Sequence, residues 1–196
     1  DDALREQTFT DIYDDSMWLI NLVENLLAVT RIEGGQVNLT RSIELMDEVV
    51  SEALKHINRK SKEHTIRVTS GKDFILAHID AKLIVQVIIN LVDNAIKYTP
   101  EHSRIELFAA PEGKFVRICV TDDGPGIPEE SRDKLFDMFY TLGKTRSDGR
   151  RGLGLGLALC RSIVAAHGGV IDVQNVAPHG ACFRFTLPRT EVTLYE

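Results

Sequence analysis

Two glycine-bearing turns and one amide-bearing segment, in fixed order along the chain, constrain this sequence more than any other feature. Asn90-Leu91-Val92-Asp93-Asn94-Ala95-Ile96-Lys97-Tyr98-Thr99-Pro100 comes first. Asp122-Asp123-Gly124-Pro125-Gly126-Ile127-Pro128 follows, and then Gly152-Leu153-Gly154-Leu155-Gly156-Leu157. Glycines at such points allow backbone conformations and close approaches that a side chain would block. A fold is therefore required that gathers one helix end and two turns around a ligand. The stretch between the turns is polar and punctuated apart from Leu135, Phe136, Met138, Phe139 and Tyr140, which predicts a short helix and a mobile loop.

Periodicity supplies the scaffold. Residues 3–33 hold no proline or glycine, and Met17, Ile20, Val23 and Leu27, with Leu19 and Leu26, recur at helical spacing. Gly34-Gly35 ends this long helix, and residues 36–39 read as a short strand. Further helices are expected over about 45–60, 81–98 and 155–167. Strands are expected over 64–69, 74–78, 105–109, 115–121, 170–173 and 182–187, with a hairpin turn at Pro111-Glu112-Gly113. Helices alternating with hairpin-linked strands indicate an α/β (α+β) two-layer sandwich, a mixed or antiparallel sheet covered by helices on one face and preceded by one long helix. A doubly wound parallel sheet is disfavoured.

With 196 residues and 43% apolar content the chain can bury one sizeable core. Its 23 basic and 29 acidic residues give a net charge of −6, so no overall field draws nucleic acid or an anionic membrane. An anion must be held locally. Cys119, Cys160 and Cys182 lack metal or disulfide spacing and read as reduced core thiols. No membrane span or signal peptide is present in the sequence. The chain starts inside a helical pattern, which predicts a soluble piece of a longer protein and leaves a membrane-bound parent open.

On the helix ending at Tyr98, Gln86, Asn90, Asn94 and Lys97 form one polar stripe, either a solvent face or a ligand face. The glycine turns favour the ligand. Asn94 offers a neutral oxygen suited to magnesium, and Lys97 a point charge for phosphates. Tyr98 either flanks a base or packs. Asp122, after an apolar strand, can accept from an exocyclic amine, with Gly124, Gly126 and Ile127 forming the turn around it. Asp123 is read as a turn residue only. Gly152, Leu153, Gly154, Leu155 and Gly156 lead into a helix whose first N–H groups can meet phosphate oxygens. Leu157 and Met138 stand where a dinucleotide fingerprint and a Walker loop need glycine, so both motifs are rejected. Lys144, Arg146, Arg150 and Arg151 make a basic segment, either a lid over a triphosphate or a solvated loop. Phe136 and Phe139 are expected to anchor its short helix to the core, and His167 is a helix-end residue and no ligand.

Over about residues 15–188 these motifs resemble the ATP-binding domain of sensor histidine kinases of the GHKL superfamily, and the chain is similar in particular to the potassium-responsive Kdp-type sensors. The resemblance implies the Bergerat ATP-binding fold, ATP and Mg2+ as ligands, and an adenine-reading role for Asp122. It implies that residues 1–34 are the second helix of a dimerisation and phosphotransfer hairpin and that residues 35–196 are the catalytic domain. It also implies a homodimer in the full-length protein and a response-regulator receiver domain as partner.

Related superfamily ATPases carry a water-activating glutamate where Asn90 stands, so Asn90 is expected to be a second amide ligand or positioner, and with Lys97 the catalytic pair. None of His56, His64, His78, His102, His167 and His179 has the family's phosphoacceptor neighbourhood. The chain alone is thus expected not to phosphorylate itself. Two other readings stay open: a nucleotide-gated interaction module without chemistry, and an anti-sigma-type serine kinase, which the long first helix disfavours.

Overall fold

The structure, a computed structural model, describes residues 2–35, 38–57, 63–70, 74–142 and 154–190. Its elements are helix α1 (Asp2–Glu33), strand β1 (Ser42–Leu45), α2 (Met46–Ile57), β2 (Thr65–Ser70), β3 (Leu76–Ile79), α3 (Ala81–Tyr98), β4 (Arg104–Glu112), β5 (Phe115–Asp122), a 3-10 helix (Glu129–Lys134), α4 (Gly156–Ala166), β6 (Ile171–Asn175) and β7 (Ala181–Thr190). The sheet is mixed: β2 runs parallel to β4, and the other pairings are antiparallel. Across it the order is β1-β3-β7-β5-β4-β2. One edge of β7 takes β5; the other takes β6 along its first half and β3 near its end.

Period-2 alternation sorts the sheet into faces. On β5, Val116, Ile118 and Val120 are buried and continue to Asp122, and they stand beside Leu187, Phe185 and Phe183 of β7. Ile105, Leu107 and Ala109 of β4 extend this face, and with α2, α3 and α4 they form one hydrophobic core. The expected sandwich is therefore found. The alternation also turns Asp122 toward the helices rather than toward solvent.

Helix α3 is delimited by its sequence. Asp80 caps it, its Oδ1 accepting from Leu83 N–H, and the helix closes at Thr99 just before Pro100. Ile84, Val87, Ile88, Leu91, Val92 and Ala95 are buried on one side. At the opposite end of α4, His167 donates from Nδ1 to Ile163 O (2.8 Å) and accepts at Nε2 from Asp80 N–H (3.0 Å). This arrangement uses the neutral ring, and burial, the dominant effect, lowers its pKa.

Two local expectations are corrected. The first strand lies at Ser42–Leu45 rather than over 36–39, because its partner is β3; residues 36 and 37 lie outside the described residues, and 38 and 39 are not in a strand. The helix expected near Phe136 is instead the preceding 3-10 turn, Glu129–Lys134. Phe136 is buried edge-to-face on Phe183, but Phe139, at φ 66°, leaves the helical register and is exposed. The long first helix is observed. Its Val29 is fully buried, Ala28 and Ile32 rest on the core, and α1 packs on α4. Phe9, Ile12, Met17, Ile20, Val23 and Leu27 on it are exposed.

Candidate functional site

Between the C-terminal half of α3, the turn after β5 and the start of α4 lies a cavity of about 740 Å³. This is within the size range of small-molecule sites, about 300–1,000 Å³. Asn94, Lys97, Tyr98, Asp122, Gly126, Ile127, Gly154 and Gly156 of the sequence candidates all line it. Residues more than 60 positions apart thus converge as the motif order required. Lys144, Arg150, Gly152 and Leu153, together with Arg146 and Arg151 and the later part of the stretch expected to hold a mobile loop, lie outside the described residues.

Asp122 is 8% exposed, and a single oxygen, Oδ1, accepts from Gly124 N–H (2.9 Å) and Ala181 N–H (3.3 Å). Its other oxygen is left for the cavity. Burial raises the carboxyl pKa above the ordinary value, against the lowering effect of the two amide donors; the nearby Asp123 charge adds to the rise. The turn after Asp122 is packed against the β6–β7 connection. Gly180 has φ 118°, and a Cβ there would clash with the Asp122 backbone carbonyl, so only glycine fits. Gly124 sits tight on the Thr99 side chain rather than on the cavity wall.

The helix side supplies polar groups. Lys97 Nζ lies 5.2 Å from the centroid of the Tyr98 ring, and burial raises the Tyr98 pKa. Thr99, whose hydroxyl donates to Ala95 O (2.7 Å) and stands 3.1 Å from His64 Nε2, also lines the cavity. Because that hydroxyl hydrogen is spent on Ala95, His64 Nε2 is the donor to Thr99. Asn90 is set deeper, between α3 and α4. Its Oδ1 accepts from Gln86 Nε2 (3.2 Å), while its buried Nδ2 has no hydrogen-bond partner. The Asn90 amide favours the thiolate of neighbouring Cys160, yet burial dominates and pushes that thiol up to about 12. All three cysteines are free and buried, as expected of core thiols.

On the glycine side, Gly154 has φ 65°, and a Cβ on it would come within 2.6 Å of the Phe139 carbonyl carbon and Tyr140 nitrogen. Its carbonyl accepts from Phe139 N–H (3.1 Å), which brings the chain back to the place it left. Helix α4 then begins at Gly156 behind Leu155, which gives no side-chain cap. The first N–H groups of α4 are therefore without an intrahelical partner beside the cavity. Leu155, a sequence candidate for the ligand, is instead buried and off the cavity wall, its carbonyl accepting from Leu159 N–H (2.9 Å).

Sequence reasoning missed Thr99, Asn175, Gly180 and the apolar wall of Leu135, Leu142 and Phe183. A carboxylate, a cation, the amide of Asn94 and an uncapped helix start around one apolar hollow suit a purine nucleotide with anionic phosphates. Comparison with known proteins agrees. The model of the histidine kinase-, DNA gyrase B- and HSP90-like ATPases matches residues 79–191, more than half of the chain. The chain belongs to this ATPase family. It is 43% identical over 189 residues to the sensor protein KdpD of Clostridium acetobutylicum, covering 96% of this chain and 21% of that protein. The chain thus spans about a fifth of that relative's length. Among solved structures, the catalytic domain of histidine kinase ThkA is 32% identical with a TM-score of 0.68, covering 76% of this chain and 96% of that one. ThkA in complex with the response regulator TrrA is 29% identical with a TM-score of 0.68, covering 88% and 49%. The domain is of the histidine kinase catalytic kind, and ATP is the ligand its family binds. Among the described residues no helix is long and apolar enough to cross a membrane.

Proposed function

We propose that this chain is the catalytic part of a two-component sensor histidine kinase. It binds ATP with Mg2+ and passes the γ-phosphoryl group to a histidine on another segment of its parent protein, from which a response-regulator aspartate receives it. The observation that carries the reading is the convergence of Asp122, Lys97, Asn94 and the uncapped start of α4 on one cavity. Asp122 accepts from the adenine amino group through its unengaged oxygen. Lys97 and the α4 N–H groups meet the phosphates.

The residues fit a hard divalent ion. Among the described residues no group of three or more His, Cys, Asp or Glu could hold a metal, so amide oxygens and the triphosphate would supply the ligands, as magnesium prefers. Asn94, on the cavity wall, is the first such ligand. Asn90, one turn earlier on α3, is the second amide ligand, its Oδ1, which accepts from Gln86 Nε2, turning to the ion when it binds. When bound, the ion would neutralise charge on the phosphates.

No carboxylate base lies at position 90, and phosphoryl transfer asks mainly for positioning and charge neutralisation. Transfer to a delivered histidine is therefore favoured over hydrolysis. Residues 1–34, with the exposed apolar side chains of α1, serve as half of the dimerisation hairpin, and residues 35–196 as the catalytic domain. The likeness to ThkA, which is solved with TrrA, supports a receiver domain as the downstream partner.

Mixing this chain with a peptide or domain carrying the parent's histidine-bearing helix, plus γ-labelled Mg·ATP, tests the proposal. Acid-labile, base-stable phosphate on the added segment is expected, with none on this chain alone. Label on the isolated chain, or no transfer to the added helix, contradicts it.

A further inference from the structure

The turn Asp122–Ile127 is held by a rung of the neighbouring hairpin. Ile127 lies between Gly126 and Pro128, outside any strand or helix, so its N–H and C=O find no ladder partner. A single side chain provides both: Asn175 Oδ1 accepts from Ile127 N–H (2.8 Å), and Asn175 Nδ2 donates to Ile127 O (3.0 Å). These two bonds also fix the amide orientation, since the flipped group would set donor against donor. Asn175 pairs in register with Ala181, whose N–H holds Asp122 Oδ1 at the other end of the turn. Between them, His179 Nδ1 donates to Asp123 O (2.7 Å).

We propose that Asn175 is a positioning residue for the base-recognising wall of the cavity: it sets Ile127, and through the shared rung with Ala181 it keeps the turn at the distance Asp122 needs to read adenine. This rests on the nucleotide reading above. Asn175 reaches the ligand only through Ile127, which lines the cavity. Its position at the surface means that truncation opens no core void, so the effect falls on the site rather than on folding.

Nucleotide affinity of Asn175→Ala and Asn175→Asp, by calorimetry with Mg·ATP and by competition with GTP, tests it. Asn175→Asp keeps the shape and the acceptor but faces a carboxylate oxygen to the Ile127 carbonyl. Both variants are expected to weaken ATP about tenfold, as loss of two backbone-fixing bonds implies, and to narrow the ATP-over-GTP preference while the thermal midpoint moves little. Arg184→Gln, which breaks the Arg184–Asp172 pair on the same hairpin, is expected to leave affinity unchanged. Undiminished ATP affinity in both variants, or equal weakening of ATP and GTP, overturns the inference. If the Ala variant fails to fold, the Asp variant decides by the same criteria. Failure of the unmodified chain to bind ATP would instead sink the nucleotide reading, and this inference with it.

Discussion

Asp122 shows how a single residue is set against the stability of its own fold. Its pKa is raised because burial opposes the charge, so its folded-state value lies above the unfolded one. In its ionised form it costs stability, and that cost is relieved as pH falls through the folded value. Asp122→Asn keeps an oxygen for Gly124 and Ala181 while removing the charge. It is expected to hold or raise the thermal midpoint at pH 7 while weakening ATP by tenfold or more, since the group then left facing the adenine amine is an NH2 donor rather than an acceptor. Calorimetry and thermal unfolding on the same sample check both halves. A fall in stability with affinity intact contradicts the assignment. Gly154→Ala forces a Cβ into the Phe139–Tyr140 backbone at positive φ and is expected to lower both stability and affinity. Asp122 was readable because an apolar alternation runs into it, whereas Asn175 was not, because its partner is 48 residues away and no local pattern marks it. Phe139 misled for a related reason: an i, i+3 spacing means nothing once φ turns positive.

At the scale of elements, α3 carries the site on one side and the core on the other. Leu91 is fully buried one turn from the cavity residues Asn94 and Ala95. Leu91→Ala is expected to cost about 2–5 kcal/mol by chemical denaturation, as for other buried leucines. A cost under about 1 kcal/mol would contradict the packing described. The junction of α3 and α4 adds a pH dependence through His167. Its folded pKa lies below the unfolded value, so the unfolded state takes the proton first as pH drops below about 6.5. Stability from this group is full above that value and lost on acidification. His167→Gln is expected to be less stable at pH 7 and to show a smaller loss between pH 7 and 5 than the unmodified chain. Helix α3 was legible from its apolar periodicity, and the structure adds what bounds it, the Asp80 cap and the stop before Pro100. Strand β1 was not, because four residues with exposed and half-buried side chains carry no period of their own and are defined only by β3.

For the whole molecule, the sheet serves as a frame that brings three distant segments to one hollow. The order of motifs along the chain made that convergence foreseeable. The part the sequence could not show is how the frame grips them: β7 lies between β5 and β6, so its first residues hold Asp122 from one side while Asn175, at the end of β6, holds Ile127 from the other. Such pairing is set by the register of strands far apart in sequence, and no single segment reveals it. The net charge of −6 makes the local cationic and dipolar groups, rather than any long-range field, responsible for holding a triphosphate. Ligand binding to the folded state alone stabilises it by about 2.7 kcal/mol at a hundredfold excess over Kd. Titrating ATP into this chain by calorimetry, with and without Mg2+, tests the central claim most directly. The account predicts one site per chain, strengthened by the ion and weakened by Asp122→Asn; no uptake of ATP with Mg2+ present, or uptake indifferent to Asp122, would contradict it.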